Sequence, residues 1–399
     1  MQRSRLQVRL DCLHGEHGLL IRLNVAPGVP STMIDRPRTT PPRPLRGAIV
    51  GYGFISERGH VPAYARPGET NFEIAAVADV CPARREKARS ALPNARIYES
   101  HSAMLDAERG RIDFVDVTTP PCDHARIAQF ALARGLHVLC EKPLATSAEE
   151  ARSMVAQARQ MRRVLFPCHN YKHAPVIKAV RQVLDAGEIG RVRLVTLQTF
   201  RNTHAKGVQE WRRDWRRERH FSGGGIAMDH GSHTFYLAFD WLGAYPTAIT
   251  AKMSTLGNFD TEDNFACAMT FPNGTATAHL TWTAGVRKVI YTIHCEGGAV
   301  RVEDDDVEVA VMNGDREGCQ TTWKVEKQEI ASGWMDASHV GWFRSLLDQF
   351  ADAIRREDFV SRETESSVRC VELITTAYAS ALDGSRERSL SQVPLVRVA

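Results

Sequence analysis

From Arg46 the chain reads Arg-Gly-Ala-Ile-Val-Gly-Tyr-Gly, a short apolar run that ends in glycines. A strand with no polar face cannot lie on a surface, so it must sit inside a sheet covered on both sides. Four more such runs follow: FEIAAVADV, DFVDVTTPP, LHVLCEKP and VLFPCHNY. Helical patterns such as PARREKARSAL and HARIAQFALARGL separate several of them. Buried strands alternating with helices define an α/β domain with a doubly wound parallel sheet.

After about residue 173 the texture changes. A helix, PVIKAVRQVLDAGEIG, leads into longer and often alternating runs: RVRLVTLQTFRN, PTAITAKMST, NFACAMTF, TATAHLTWT, VIYTIHC and AVRVEDD. Pro272-Asn273-Gly274 makes a turn between two of them. These features predict a mostly antiparallel sheet, with helices returning at GWFRSLLDQFADAIRR and ETESSVRCVELITTAYASAL. The expected organisation is therefore an arm over 1–45, a parallel-sheet α/β domain over 46–172 and an α+β domain over 173–399. The arm is rich in Pro, Ser and Thr without an apolar period, which predicts disorder. Met33 within it is a candidate for the true translation start.

The 399 residues are long for one core, which agrees with two domains. A formal net charge of +4 is small for this length and points to neither a nucleic-acid binder nor a membrane-surface protein. The basic stretch EWRRDWRRERH, Glu210 to His220, reads better as a substrate-lining or interdomain loop than as a nucleic-acid contact. No apolar run approaches the ~18 residues needed to cross a bilayer. The N-terminal stretch GLLIRLNVA is broken by Arg22 and Asn24 and does not read as a signal peptide. Nine scattered cysteines without a C-x-x-C pair suggest free thiols in a reducing cytoplasm.

Gly51-Tyr52-Gly53-Phe54-Ile55-Ser56 matches G-x-G-x-x-G except at its third position, where Ser56 stands. The first glycine permits the tight turn after the strand, and the second lets backbone approach a pyrophosphate. Asp79 ends the next strand, where a carboxylate accepts hydrogen bonds from ribose hydroxyls and repels a 2′-phosphate. NAD is therefore favoured, with NADP kept open by Arg84 and Arg85 nearby. Glu141-Lys142-Pro143 ends a later strand, at the edge where such sheets bind ligands. Lys142 there either polarises a substrate hydroxyl or forms an exposed ion pair with Glu141. Gly223-Gly224-Gly225 precede Asp229 and His233, which share one helical face if the segment is an α-helix. That pair reads as a buried structural contact, part of a metal site or an acid–base pair. No further ligand stands at a spacing typical of zinc, so no metal is expected.

These motifs occur in one order. Gly51-x-Gly53 with Asp79, Thr118-Thr119-Pro120-Pro121-x-x-His124, Glu141-Lys142-Pro143, Gly187-Glu188-Ile189-Gly190, and Trp215-Arg216 followed by the glycines, Asp229 and His233 together resemble the Gfo/Idh/MocA oxidoreductase family. The resemblance covers about residues 46–385. It implies a Rossmann domain joined to an open-faced α/β domain, with the active site in the cleft between them. It places the catalytic set at Lys142, Asp229 and His233. Cofactor contacts are implied at Gly51, Gly53, Phe54, Ile55, Asp79, Thr119, Pro120, His124, Glu141 and Lys142. Substrate contacts are implied at Lys142, Tyr171, Arg216, Asp229 and His233, with Trp215, His339 and Trp342 as further cleft candidates.

The implied activity is hydride transfer between NAD(P) and a secondary alcohol or carbonyl of a sugar, inositol or related polyol. The alternatives are an NAD-using lyase or glycosidase with transient internal redox, and a nucleotide-sensing protein without turnover. A homodimer or homotetramer formed through the open sheets is also implied. His233 is the expected base, oriented by Asp229, while His230 is expected to point away from both. The chain departs from the family pattern at Tyr236, where Asp is common, and at Lys172, where Arg is common. Both departures are expected to touch substrate contacts.

Overall fold

The computed structural model describes residues 43–65, 71–313 and 322–391. The N-terminal arm lies outside the described residues, apart from its end, where the first strand begins. Six strands, β1 (Leu45–Val50), β2 (Phe72–Ala78), β3 (Arg96–Tyr98), β4 (Phe114–Val117), β5 (His137–Cys140) and β6 (Leu165–Pro167), form one parallel sheet. Its order is β3-β2-β1-β4-β5-β6. Connections carry α1 (Val61–Tyr64), α2 (Pro82–Ala91), α3 (His101–Ala107), α4 (His124–Leu132) and α5 (Ala148–Met161). Pro82 opens α2, where a missing N–H costs nothing. Ser147 caps α5, the Glu150 N–H donating to Ser147 Oγ at 3.2 Å, while the Glu150 carboxylate accepts from the Ser147 and Thr146 hydroxyls. The strand order reverses between β1 and β4, so a ligand crevice opens at their carboxyl ends.

The second part of the chain contains α6 (Pro175–Ala186), α7 (Arg219–Ser222) and α8 (Ser232–Leu242). Its sheet comprises β7 (Val192–Phe200), β8 (Ala248–Ser254), β9 (Asn264–Phe271), β10 (Gly274–Thr281), β11 (Lys288–Cys295), β12 (Gly298–Glu303), β13 (Asp306–Asn313), β14 (Thr322–Glu329) and β15 (Arg388–Ser389). The order is β14-β13-β12-β11-β7-β10-β9-β8-β15. All neighbours are antiparallel except β7 and β10. The expected turn joins β9 to β10 through Pro272 and Asn273, with Phe271 paired to Gly274. Val195, Leu197, Ala276, Ala278 and Leu280 face a core that includes Phe235, Phe239 and Trp241 of α8. Side chains on the other face of β9 and β10 are alternately exposed.

The last helices, α9 (Val340–Arg355) and α10 (Arg362–Leu382), cross back to the parallel sheet. Phe343, Leu346, Leu347 and Phe350 of α9 pack with Ile49, Val77, Phe114 and Phe166. Val368 and Val371 of α10 join the cluster on the opposite face, whereas Leu373, Ile374 and Ala377 join the core of the second sheet. A cut between 172 and 173 separates the two sheets but would divide their cores, because α9 and α10 serve both. Periodicity marks which face of a helix is apolar and carries no information about its partner.

Candidate active site

The cleft holds about 600 Å³ and lies between the carboxyl ends of the parallel strands and the second domain. One end is built on β1 and β2. Gly51 has φ +93°, and a Cβ there would lie 2.9 Å from the Thr118 carbonyl oxygen. A Cβ on Gly53 would meet nothing within 4 Å, so that side of the loop is open to a pyrophosphate. Asp79 Oδ2 accepts from the Tyr52 N–H at 2.6 Å and Oδ1 from the Cys81 N–H at 2.7 Å. The carboxylate is thus fixed, with lone pairs remaining for ribose hydroxyls. Phe54, Ile55, Thr119 and Pro120 line the same end. These residues fit NAD.

Arg84 does not soften that preference. Its side chain is buried, donating through Nε to the Tyr52 carbonyl at 2.6 Å and through Nη2 to Glu57. Arg85 donates to the Asp79 and Val80 carbonyl oxygens. His124 also departs from its expected role, because it does not line the cleft. It is fully buried at the start of α4, with Nδ1 2.8 Å from the Pro143 oxygen and Nε2 2.8 Å from the Thr119 oxygen. It buttresses the loops that carry Thr119 and Lys142. Burial lowers the His124 pKa, so the neutral ring has one N–H to donate to one of these two carbonyls.

Lys142 follows β5 and crosses the cleft. Its Nζ donates to Asp229 twice, to the backbone oxygen at 3.0 Å and to Oδ1 at 3.1 Å. Arg216 stacks on Trp215 and brings Nε to 3.5 Å from Asp229 Oδ2. Burial opposes the Asp229 charge, but Lys142 and Arg216 outweigh it and hold the carboxyl well below its usual range. His233 is pushed the other way. Burial, Lys142 and His230 lower its pKa well below the ordinary imidazole value, so the ring is neutral. Its face stacks on Tyr171 with centroids 4.1 Å apart, and its buried Nδ1 has no hydrogen-bond partner among the described residues. A neutral imidazole lining the cleft can accept a proton on its acceptor nitrogen.

Two expectations about this segment are corrected. Asp229 makes its closest ionic contacts with Lys142 and Arg216, so it does not act as the orienter of His233. His230 does not point away, since it lines the cleft with Nε2 3.9 Å from Asp229 Oδ2. The reason is local winding. Ala227–Gly231 forms a π-helical turn before α8, and the wider turn takes side chains out of α-helical phase.

The glycine run answers to packing inside the protein. A Cβ on Gly225 would lie 1.9 Å from the Glu262 oxygen, and one on Gly224 would lie 2.0 Å from the Tyr378 hydroxyl. Glu262 caps the segment, accepting from the Gly225 N–H at 2.8 Å, the Ala227 N–H at 3.0 Å and the Tyr378 hydroxyl at 2.9 Å. Only glycine admits the Glu262 backbone so close at position 225, while Gly224 also borders the cleft.

Glu141 borders the cleft, but its Oε1 lies 3.0 Å from His60 Nε2 and its Oε2 accepts the Lys142 N–H at 3.1 Å. His60 Nδ1 lies 2.7 Å from Asp116. Burial disfavours the His60 charge, yet Asp116 and Glu141 prevail and raise its pKa to about 10. A charged buried bridge thus backs the end of β5. His60, Asp116 and Cys168 also bring donor atoms within 4.8 Å of one another, but both His60 nitrogens already face carboxylates.

Tyr171 lines the cleft, while Tyr236 and Lys172 lie behind it. The Tyr236 hydroxyl accepts from the Tyr171 N–H at 3.2 Å, and its ring stacks on His169. Lys172 pairs with Glu363 at 2.9 Å. The two family departures therefore support Tyr171 from behind and do not meet substrate. Trp215 and His339 line the cleft and Trp342 stacks against His339. Sequence reasoning missed Arg201, Arg287, Asn170 and His204, which also line it. Position at the ends of β7 and β11 was the available signal for the two arginines.

Groups that suit a dinucleotide and groups that handle a proton thus face each other across one cleft, the layout of a two-domain NAD-binding oxidoreductase. A profile described as "Oxidoreductase family, NAD-binding Rossmann fold" matches residues 45–169, and one for the GFO/IDH/MocA C-terminal domain matches 177–301. The chain belongs to the Gfo/Idh/MocA oxidoreductase family. It is similar to D-apiose dehydrogenase of Paraburkholderia graminis, 33% identical over 40% of this chain and 41% of that protein. It is also similar to inositol 2-dehydrogenase of Rhizobium meliloti, 31% identical over 53% of this chain and 59% of that protein. These matches span about half of each relative's length. In fold it resembles levoglucosan dehydrogenase solved with NADH and L-sorbose, with TM-score 0.74 and 20% identity over 88% of this chain and 100% of that one.

Proposed function

We propose that this protein is an NAD-dependent dehydrogenase or reductase acting on a secondary alcohol or carbonyl of a sugar, inositol or related polyol. The observation that carries the reading is the Lys142–Asp229 contact beside a neutral His233, all in the cleft that the glycine loop opens into. Bound nicotinamide supplies the hydride acceptor. Lys142 polarises the substrate hydroxyl, and Asp229 fixes the ammonium by holding it from across the cleft. His233 takes the hydroxyl proton on the nitrogen that faces substrate. Arg216 and Tyr171 shape the site around that hydroxyl.

The named activities of the relatives support the substrate class. Self-association through the uncovered face of the second sheet is part of the reading. That face carries exposed Leu194 and Val325 and a groove of about 350 Å³ running over Phe200, Lys252 and His279. Light scattering should then give a dimer or a tetramer. A cytoplasmic site of action accords with the free cysteines of the described residues. Among those residues, no helix is long and apolar enough to cross a membrane.

His233→Ala tests the assignment. It should leave NADH affinity intact and lower kcat by about 10²–10⁴-fold, the usual contribution of a general base. Near-normal turnover would remove His233 from the mechanism.

A further inference from the structure

Arg201 directly follows β7 and Arg287 directly precedes β11. The antiparallel ladder between these strands ends with Phe200 paired to Lys288. The two arginines therefore stand opposite each other one step beyond it, and both line the cleft. Like charges opposed in this way repel. After burial, the charge of Arg201 is the next cause lowering the Arg287 pKa.

The other cations of the cleft are matched. Lys142 and Arg216 meet Asp229, Lys206 meets Asp214, Arg84 meets Glu57 and Arg126 meets Asp123. Neither Arg201 nor Arg287 has a carboxylate within salt-bridge distance among the described residues, although Asp304 acts on Arg287 from farther off. Arg201 Nη1 donates to the Phe200 and Lys288 carbonyls, at 2.9 and 3.3 Å, its side chain also hydrogen-bonds Tyr171, and Arg287 Nη1 donates to the Met335 carbonyl at 3.2 Å. Tyr171 links them to the reaction centre, since its ring stacks on His233 and its phenol feels both guanidinium charges. Paired forks of N–H donors match the geometry of a carboxylate.

We propose that the substrate carries a carboxylate, held by Arg201 and Arg287 while its hydroxyl is presented to His233 and Lys142. The substrate class is then a sugar acid, an aldonate or uronate, which narrows the dehydrogenase reading and rests on it. The reaction balances within that class. The C–H bond breaks with its electron pair passing to NAD, the hydroxyl proton passes to His233, and a carbonyl forms while the carboxylate is unchanged.

The experiment compares molecules that differ by CO₂⁻ for CH₂OH: D-gluconate against D-glucitol, and D-galacturonate against D-galactose. The wild-type enzyme should prefer an acid by about tenfold or more in kcat/KM, with a KM that rises with salt. Arg201→Gln and Arg287→Gln should each lower that preference about ten- to a hundredfold, while NADH titration shows the fold intact. Preference for the neutral member, or an acid preference that both variants retain, overturns the carboxylate site and leaves the dehydrogenase reading standing. If nothing in the panel is oxidised, calorimetry of the two acids against NADH-loaded protein decides. Salt-sensitive binding lost in both variants supports the site, and absence of binding overturns it. Failure to bind NADH at all instead removes the dehydrogenase reading.

Discussion

Asp229→Asn isolates the contact on which the site depends. The change keeps the side chain's shape and removes the charge facing Lys142 at 3.1 Å and Arg216 at 3.5 Å. At an effective dielectric of about 20, each of those attractions is worth roughly 5 kcal/mol before solvation is counted. The Lys142 and Asp229 side chains are only 11% and 15% exposed, so water recovers a part of this. The net value of a hydrogen bond to a charged group, about 1.5–3 kcal/mol, is the better guide. Asp229→Asn should therefore lower kcat/KM roughly ten- to a hundredfold. Asp229 lies on the second domain and the glycine loop on the first, so NADH affinity should change by less than about threefold. Steady-state kinetics and NADH fluorescence titration supply both numbers. Lys142→Met alone and the double variant complete the cycle, and the two losses should overlap because the residues act as one unit. Full additivity, or a loss of NADH affinity parallel to the loss of turnover, would refute the account of Asp229.

His60→Gln leaves Asp116 and Glu141 buried without their cation and should cost roughly 3–5 kcal/mol of stability. The His60 pKa rises on folding from 6.5 to about 10, so its stabilisation is complete below the lower value and fades as pH climbs through the upper one. Thermal midpoints should show that decline in the wild-type protein and lose it in the variant; an unchanged pH slope would contradict the charged bridge. Gly225→Ala forces a Cβ against Glu262 and should destabilise by about 1–3 kcal/mol or more, read as a lower melting temperature, whereas an unaltered midpoint would show that the cap is not tight. The depressed pKa of His233 places the acid limb of kcat/KM below the ordinary imidazole value of 6.5, and a limb above it would argue against that base.

The parallel sheet was legible because each strand is a short apolar run punctuated by a residue with a definite task at its carboxyl end. Gly51, Asp79, Thr119 and Lys142 all fall at one edge of the sheet, as such a fold requires. The approach of Lys142 to Asp229 across 87 residues follows from two separate motifs that only the closed cleft brings together. His124 and His230 were misread for reasons of phase and packing. One sequence position does not reveal which way a helix's first residue points, and a π-turn shifts every side chain after it. Glu262, distant in sequence, explains Gly225 in a way no local pattern displays. The arginine pair was invisible because adjacency between residues 201 and 287 exists only through the register of β7 on β11.

The central claim is net hydride transfer between NAD and a substrate alcohol in this cleft. Its most direct test is the absorbance of NADH formed by the purified protein when NAD and NADP are offered separately with sugars, inositols and sugar acids. The account predicts one NADH per carbonyl formed, a preference for NAD over NADP set by Asp79, and loss of the signal in His233→Ala. Product accumulating without net NADH would contradict it and point to a redox cycle closed within each turnover.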